Sequence, residues 1–105
     1  MIIYINGLPW VLELTELMTD FGECDANHRQ IRIRSTQTPE QMAITLFHEL
    51  IHAAWYVADL DDHTPGNLEE TVANRLGETL GGIFKDDRNG NLLALLHNGS
   101  EANDG

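Results

Sequence analysis

His48-Glu49-Leu50-Ile51-His52 has the pattern H-E-x-x-H. On a helix, at ~100° per residue, positions i and i+4 lie one above the other. Both imidazoles then point the same way and can grip one divalent metal ion. Glu49 sits at the edge of that face, where it reaches a water activated by the metal without ligating the metal itself. Leu50 and Ile51 point away and continue an apolar stripe of Phe47, Ala54 and Val57 or Ala58. Functional face and packing face are thereby separated. Five histidines in 105 residues make the motif infrequent by chance.

A hydrolytic zinc site needs a third protein ligand and keeps its fourth position for water. The candidates beyond the motif are Asp59, Asp61, Asp62, His63, Glu69, Glu70 and His97. Glu70, Ala73, Asn74, Gly77 and Gly81 share one stripe of a second helix, at i, i+3, i+4, i+7 and i+11. Small residues there let two helix backbones approach closely, and Leu68, Val72, Leu76 and Leu80 supply the adjoining apolar stripe. Glu70 extends from the close-packed stripe toward the motif helix; its competing role is a capping-box carboxylate. Asn74, one turn on, can hydrogen-bond the second nitrogen of a ligating histidine. Glu69 points ~100° away and reads as solvated. Tyr56, four residues after His52, and His63, in the loop between the helices, are candidate oxyanion stabilisers; His63 could also replace Glu70 as a ligand. Trp55 and Tyr56 otherwise read as core or pocket wall. Cys24 reads as a small strand or core residue, His28 and His97 as surface residues, and Asp59, Asp61 and Asp62 as a solvated run.

The elements that must position these residues follow from a change of period. Residues 2–14 read as two short strands around Asn6-Gly7, with Leu8 and Pro9 lengthening the connection and Pro9 in the turn or at an edge. Leu14, Leu17 and Met18 share a helical face, which suggests a short helix near 13–20. Phe21 to Arg34 looks like a second hairpin with a polar tip at Ala26-Asn27-His28. In Gln30-Ile31-Arg32-Ile33-Arg34 the isoleucines alternate inward and the arginines outward, as charged protection of a sheet edge would require. Thr38-Pro39-Glu40-Gln41 is a helix start: Thr38 as N-cap, Pro39 in the first turn, Gln41 returning the capping bond. That helix should run from about 39 to 58. A second, capped by Asn67, should run to about Phe84. A short apolar helix near 90–97 should close at Asn98-Gly99, and 100–105 read as a disordered tail of a single domain over 1–99.

Composition narrows the classes. Seventeen Asp and Glu against six Lys and Arg give a net charge of −11, which argues against phosphate-backbone binding. One cysteine excludes a disulfide scaffold and a site of several thiolates. No apolar run approaches the roughly 20 residues of a membrane span, and MIIYING lacks a signal peptide's basic leader. The expectation is an acidic, cytoplasmic domain that binds neither nucleic acid nor membrane.

HELIH followed, after 17 intervening residues, by Glu70-Thr71-Val72-Ala73-Asn74-Arg75-Leu76 resembles the ImmA/IrrE-type zinc metallopeptidases. These gluzincin-like proteins are common in phages and mobile elements, and their pattern is HExxH and then E-x-x-A-(D/N)-x-(F/L). The resemblance spans about residues 38–84. It implies zinc ligation by His48, His52 and Glu70, Glu49 as general base, and Asn74 supporting a ligand. The chain departs from the pattern at Gly77-Glu78-Thr79-Leu80-Gly81-Gly82, where the family has a bulkier run. The helix-turn-helix domain often fused in that family is also absent from these 105 residues.

The expected architecture is α+β, a minimal zincin-like fold: a small, mostly antiparallel sheet from residues 2–34 packed on the motif helix, with a second helix delivering Glu70. The expected function is zinc-dependent hydrolysis of a peptide or protein substrate. The alternatives are a zinc-stabilised structural or regulatory module and an antirepressor-type protein that binds without cleaving. The strand with the strongest alternation, Ile31, Arg32, Ile33 and Arg34, is the expected substrate strand, its arginines favouring acidic peptides.

Overall fold

A computed structural model describes residues 1–98, the side chains of Leu93 and Asn98 excepted. The expected tail at 100–105 and the Gly99 stop lie outside the described residues. The fold is α+β. Four strands, β1 (Ile2–Ile5), β2 (Leu8–Thr15), β3 (Gly22–Asp25) and β4 (Gln30–Arg34), precede three helices, α1 (Pro39–Val57), α2 (Leu68–Lys85) and α3 (Gly90–Asn98). Single 3₁₀ turns at Ala26–His28 and Asp87–Asn89 join β3 to β4 and α2 to α3. The sheet order is β1-β2-β4-β3. Two pairings are antiparallel and one, β2 with β4, is parallel. Among the described residues, no helix is long and apolar enough to cross a membrane.

The first hairpin is tighter than expected. Asn6 and Gly7 alone form the turn, both with positive φ (50° and 81°), as a two-residue loop matched to strand twist requires. Leu8 and Pro9 belong to β2, opposite Ile5 and Tyr4. Pro9 is tolerated because the Tyr4–Pro9 pair follows the bonded closing pair, so its missing N–H points away from β1. Pairing with β4 begins only at Val11.

No helix forms near 13–20. β2 instead continues to Thr15 in parallel register with β4, Leu12 beside Ile31 and Leu14 beside Ile33. Sheet pairing satisfies the backbone there, and the supposed helical face is not buried: Leu14 is 60% exposed and Leu17 87%. The same pairing corrects the reading of the arginines. β4 is an internal strand, so Arg32 and Arg34 guard no edge. Ile31 and Ile33 are fully buried beneath α1 with Trp10 and Ala53, flanked by Met42, Leu50 and Val57. The arginines, alternating with them, stand on the opposite face. Arg32 lies 3.3 Å from Glu13 and 3.4 Å from Glu23, and Arg34 stacks over Phe21 and donates to the Thr19 carbonyl.

α1 begins as its sequence dictates: Thr38 Oγ1 accepts from the Gln41 backbone N–H at 3.1 Å, with Pro39 in the first turn. The return bond does not form, because Gln41 turns inward toward Thr45. The side facing the sheet carries Met42, Leu50, Ala53 and Val57, whereas Ala54 and Ala58 are exposed. α2 starts at Leu68, but the Asn67 side chain makes no capping bond. α1 and α2 form the most extensive element pair of the fold.

Candidate metal centre

The α1–α2 seam is set by the small residues of α2. Ala73, Gly77 and Gly81 are buried. A Cβ on Gly77 would stand 3.2 Å from the backbone of His48, and one on Gly81 2.9 Å from that of Ile44. This close approach carries the first turn of α2 onto the motif face of α1. On the other side, β3 presses against α1 at Gly22, where a Cβ would meet Thr45 at 2.7 Å and Glu49 at 3.1 Å. The motif is thus held between α2 and the β3 edge.

His48, Glu49 and His52 offer ligand atoms that all lie within 4.8 Å of one another, a group compatible with a metal ion. His48 Nε2 and His52 Nε2 are 3.2 Å apart. Glu70 closes the gap, with Oε1 2.9 Å from His52 Nε2 and Oε2 3.6 Å from His48 Nε2. Glu70 therefore faces the histidine pair, not the end of its own helix as a cap would.

Glu69 corrects a further expectation. It is the less exposed of the two carboxylates, 27% against 60% for Glu70. Its Oε2 lies 2.5 Å from His52 Nδ1. The partner of a histidine's second nitrogen is thus Glu69; Asn74 makes no bond to either imidazole among the described residues and instead lines the cavity beside His48. Glu69 and Glu70 point to the same cluster because His52 presents both ring nitrogens to the start of α2, and one carboxylate meets each.

Burial and charge tune these groups differently. Burial pulls the His48 imidazolium below its usual range, against the opposing charge of Glu70. Burial also acts downward on His52, but the bond to Glu69 and the charges of Glu49, Glu69 and Glu70 outweigh it and raise its pKa. The Glu49 carboxyl, 6% exposed, is pushed up to about 7, chiefly by burial. A carboxyl that titrates near neutrality can take and return a proton there. The Cys24 thiol is pushed up to about 12 by burial and by the charges of Glu49, Glu69 and Asp25, so it is an inert wall residue.

Two adjoining cavities flank the cluster and share Gly22, His48 and Glu49. One, of about 340 Å³, is bounded by Phe21, Gln41, Ile44, Thr45, Asn74 and Glu78. The other, of about 370 Å³, is bounded by Cys24, Ala26, His52, Tyr56, Asp61, Glu69 and Glu70. Together they form a cleft along β3, the sheet edge next to α1. Phe21 O accepts from Arg34 N at 2.8 Å, which, with the Gly22–Ile33 register, makes Glu23 and Asp25 the residues bonded to β4. Gly22 and Cys24 then direct their backbone N–H and C=O to the open edge. The expected substrate strand at 31–34 is corrected accordingly: β4 has a strand on each side, and β3 borders the cleft.

Tyr56 is exposed and lines the second cavity. His63 lies in the exposed loop before α2 and lines neither cavity. His28 is exposed and paired with Asp25 at 2.9 Å, and His97 is exposed on α3. The residues that sequence reasoning missed are Gly22, Thr45 and Glu78, and Glu69 is weighed there and set aside as solvated. Only Gly22 carried a signal, a glycine inside a strand, which marks close backbone approach.

Among known proteins, no family model matches the chain and no curated protein matches it.

Proposed function

We propose that the protein is a zinc-dependent metallopeptidase of the kind its motif pattern resembles. One observation carries this reading. His48 Nε2 and His52 Nε2 stand 3.2 Å apart, and the Glu70 carboxylate faces both, its Oε1 2.9 Å from His52 Nε2 and its Oε2 3.6 Å from His48 Nε2. Neighbouring ligands of a tetrahedral zinc stand about 3.3 Å apart, given metal–ligand distances near 2.0–2.1 Å. Three lone-pair donors turned toward one point suit a cation. His52 is oriented for this role, because Glu69 accepts from its Nδ1–H and leaves Nε2 free to ligate.

Bound zinc would supply a lowered water pKa and polarisation of the scissile carbonyl. The chain's own residues do the rest. His48, His52 and Glu70 would hold the ion. Glu49 takes the proton of the attacking water and delivers it to the leaving amine nitrogen. Its buried position beside the two histidines suits both transfers. Gly22 and Cys24 receive an extended peptide as an added strand through their outward N–H and C=O groups. Tyr56, which lines the second cavity, would steady the oxyanion.

The test compares wild type with Glu49→Gln for peptide hydrolysis and for bound zinc. The expected result is about one zinc per chain in both and turnover only in wild type. Zinc in both with turnover in neither would give the ion the structural role of joining α1 to α2.

A further inference from the structure

The cavity of about 340 Å³ beside His48 has a mixed lining. Phe21 and Ile44 give it apolar walls, Gln41 and Asn74 give neutral polar groups, and Glu78 gives a carboxylate. Apart from Glu49, Glu78 is its only charged residue. Glu78 stands one turn beyond Asn74 on α2 and has no ion-pair partner within 4.0 Å among the described residues. The second cavity carries Asp61, Glu69 and Glu70 and no Lys or Arg. None of the six cations lines either cavity: Arg75, three residues before Glu78 on α2, is exposed and makes no ion pair with it within 4.0 Å, and Lys85 ends that helix. Arg32 and Arg34 occupy the far face of the sheet, and Arg88 is paired with Asp86 at 2.7 Å. Arg29 borders a separate hollow beyond Tyr56.

An aliphatic stem between apolar walls with a charged tip at a carboxylate is the complement of a lysine or arginine side chain. Resting on the peptidase reading, we infer that this cavity takes a Lys or Arg side chain of the substrate next to the scissile bond, with Glu78 as the residue that selects it. This reverses the acidic preference expected from the arginines of β4. An anionic side chain in this cavity would meet the unpaired Glu78 carboxylate, and like charges disfavour it. The selection is electrostatic at a solvent-open site, so it is moderate and weakens with salt.

The experiment uses the zinc-loaded protein and fluorogenic peptides that carry Lys, Arg, norleucine or Glu at each position around the cleavage site. At one position adjoining the scissile bond, wild type should cleave the Lys and Arg peptides about fivefold faster than norleucine, the scale of one partly exposed ion pair. Glu78→Gln should bring that ratio to about one. Glu78→Lys should make Glu the favoured residue. A Lys preference that survives in Glu78→Lys, or a wild type that prefers Glu or ignores charge, overturns the proposal. Failure of the peptidase reading itself shows differently, as no Glu49-dependent cleavage of any peptide. In that event the same set is ranked by binding to zinc-loaded Glu49→Gln protein. A Lys-over-norleucine ranking that inverts on adding Glu78→Lys supports the cavity assignment, and a flat ranking overturns it.

Discussion

Gly77 of α2 and His48 of α1 touch backbone to backbone: a Cβ at 77 would lie 3.2 Å from both N and Cα of His48. The distance between the helices, and therefore the reach of Glu70 to the histidines, is fixed at this contact. Gly77→Ala should separate the helices by a few tenths of an ångström and weaken zinc binding. Overpacking costs about 1–3 kcal/mol, against up to about 1 kcal/mol of gained helix propensity, so a modest net loss of stability is expected. Gly82 has open space around it. Gly82→Ala should therefore stabilise by about 0.5–1 kcal/mol. Thermal melts of the two variants give the opposite signs, and equal stabilisation by both would remove the contact as a determinant.

Metal removal should loosen the same seam. An ion held by His48, His52 and Glu70 would join α1 to α2, so chelator should lower the melting temperature of wild type. At a zinc concentration of 100 times Kd the difference is about 2.7 kcal/mol. His48→Ala and His52→Ala should melt with no response to either zinc or chelator. A chelator-insensitive wild type would show that the small-residue contact holds the helices unaided.

The carboxylates should rank in the order of their placement. Glu70→Gln removes the charged ligand and should abolish stoichiometric zinc. Glu69→Gln leaves the ligand set but weakens the support of His52, and should cost about 10–100-fold in zinc affinity. Asn74→Ala, which breaks no hydrogen bond to an imidazole, should cost little. Competition with a zinc-sensing dye measures all three, and an Asn74 effect above that of Glu69 would contradict the observed bond.

Glu49 should make the metal-free protein pH-sensitive. Its carboxyl titrates near 4.5 in the unfolded chain and about 7 in the fold. The folded state holds the extra proton between those values, so stability from this group is complete below pH 4.5 and is lost as pH rises to 7. The shift corresponds to at most about 3 kcal/mol. Glu49→Gln should remove this slope and leave the metal-free variant more stable than wild type at pH 7. Zinc should flatten the wild-type slope too, since a nearby cation favours the ionised form. Denaturant melts from pH 4.5 to 7.5 read the effect; parallel slopes for the two metal-free proteins would exclude Glu49 as its source.

Local chemistry made much of this protein legible in its sequence. The Thr38-Pro39 start of α1 and the turn at Asn6-Gly7 act through neighbours a few residues apart. The H-E-x-x-H face and the Ala73-Gly77-Gly81 stripe follow from helical period alone, and so does the position of Glu70 on the side of α2 that faces the histidines. Tertiary structure decided what depends on partners far along the chain. Residues 13–20 have a helical pattern on one side, yet β4 offers the backbone of 11–15 a parallel ladder, and pairing outweighs that pattern. The same pairing places β4 inside the sheet, turns its arginines away from the cleft and leaves the β3 edge beside α1. Glu69 looked solvated because a helical wheel carries no information about how the first turn of α2 sits on α1. Only that docking brings one carboxylate to each nitrogen of His52.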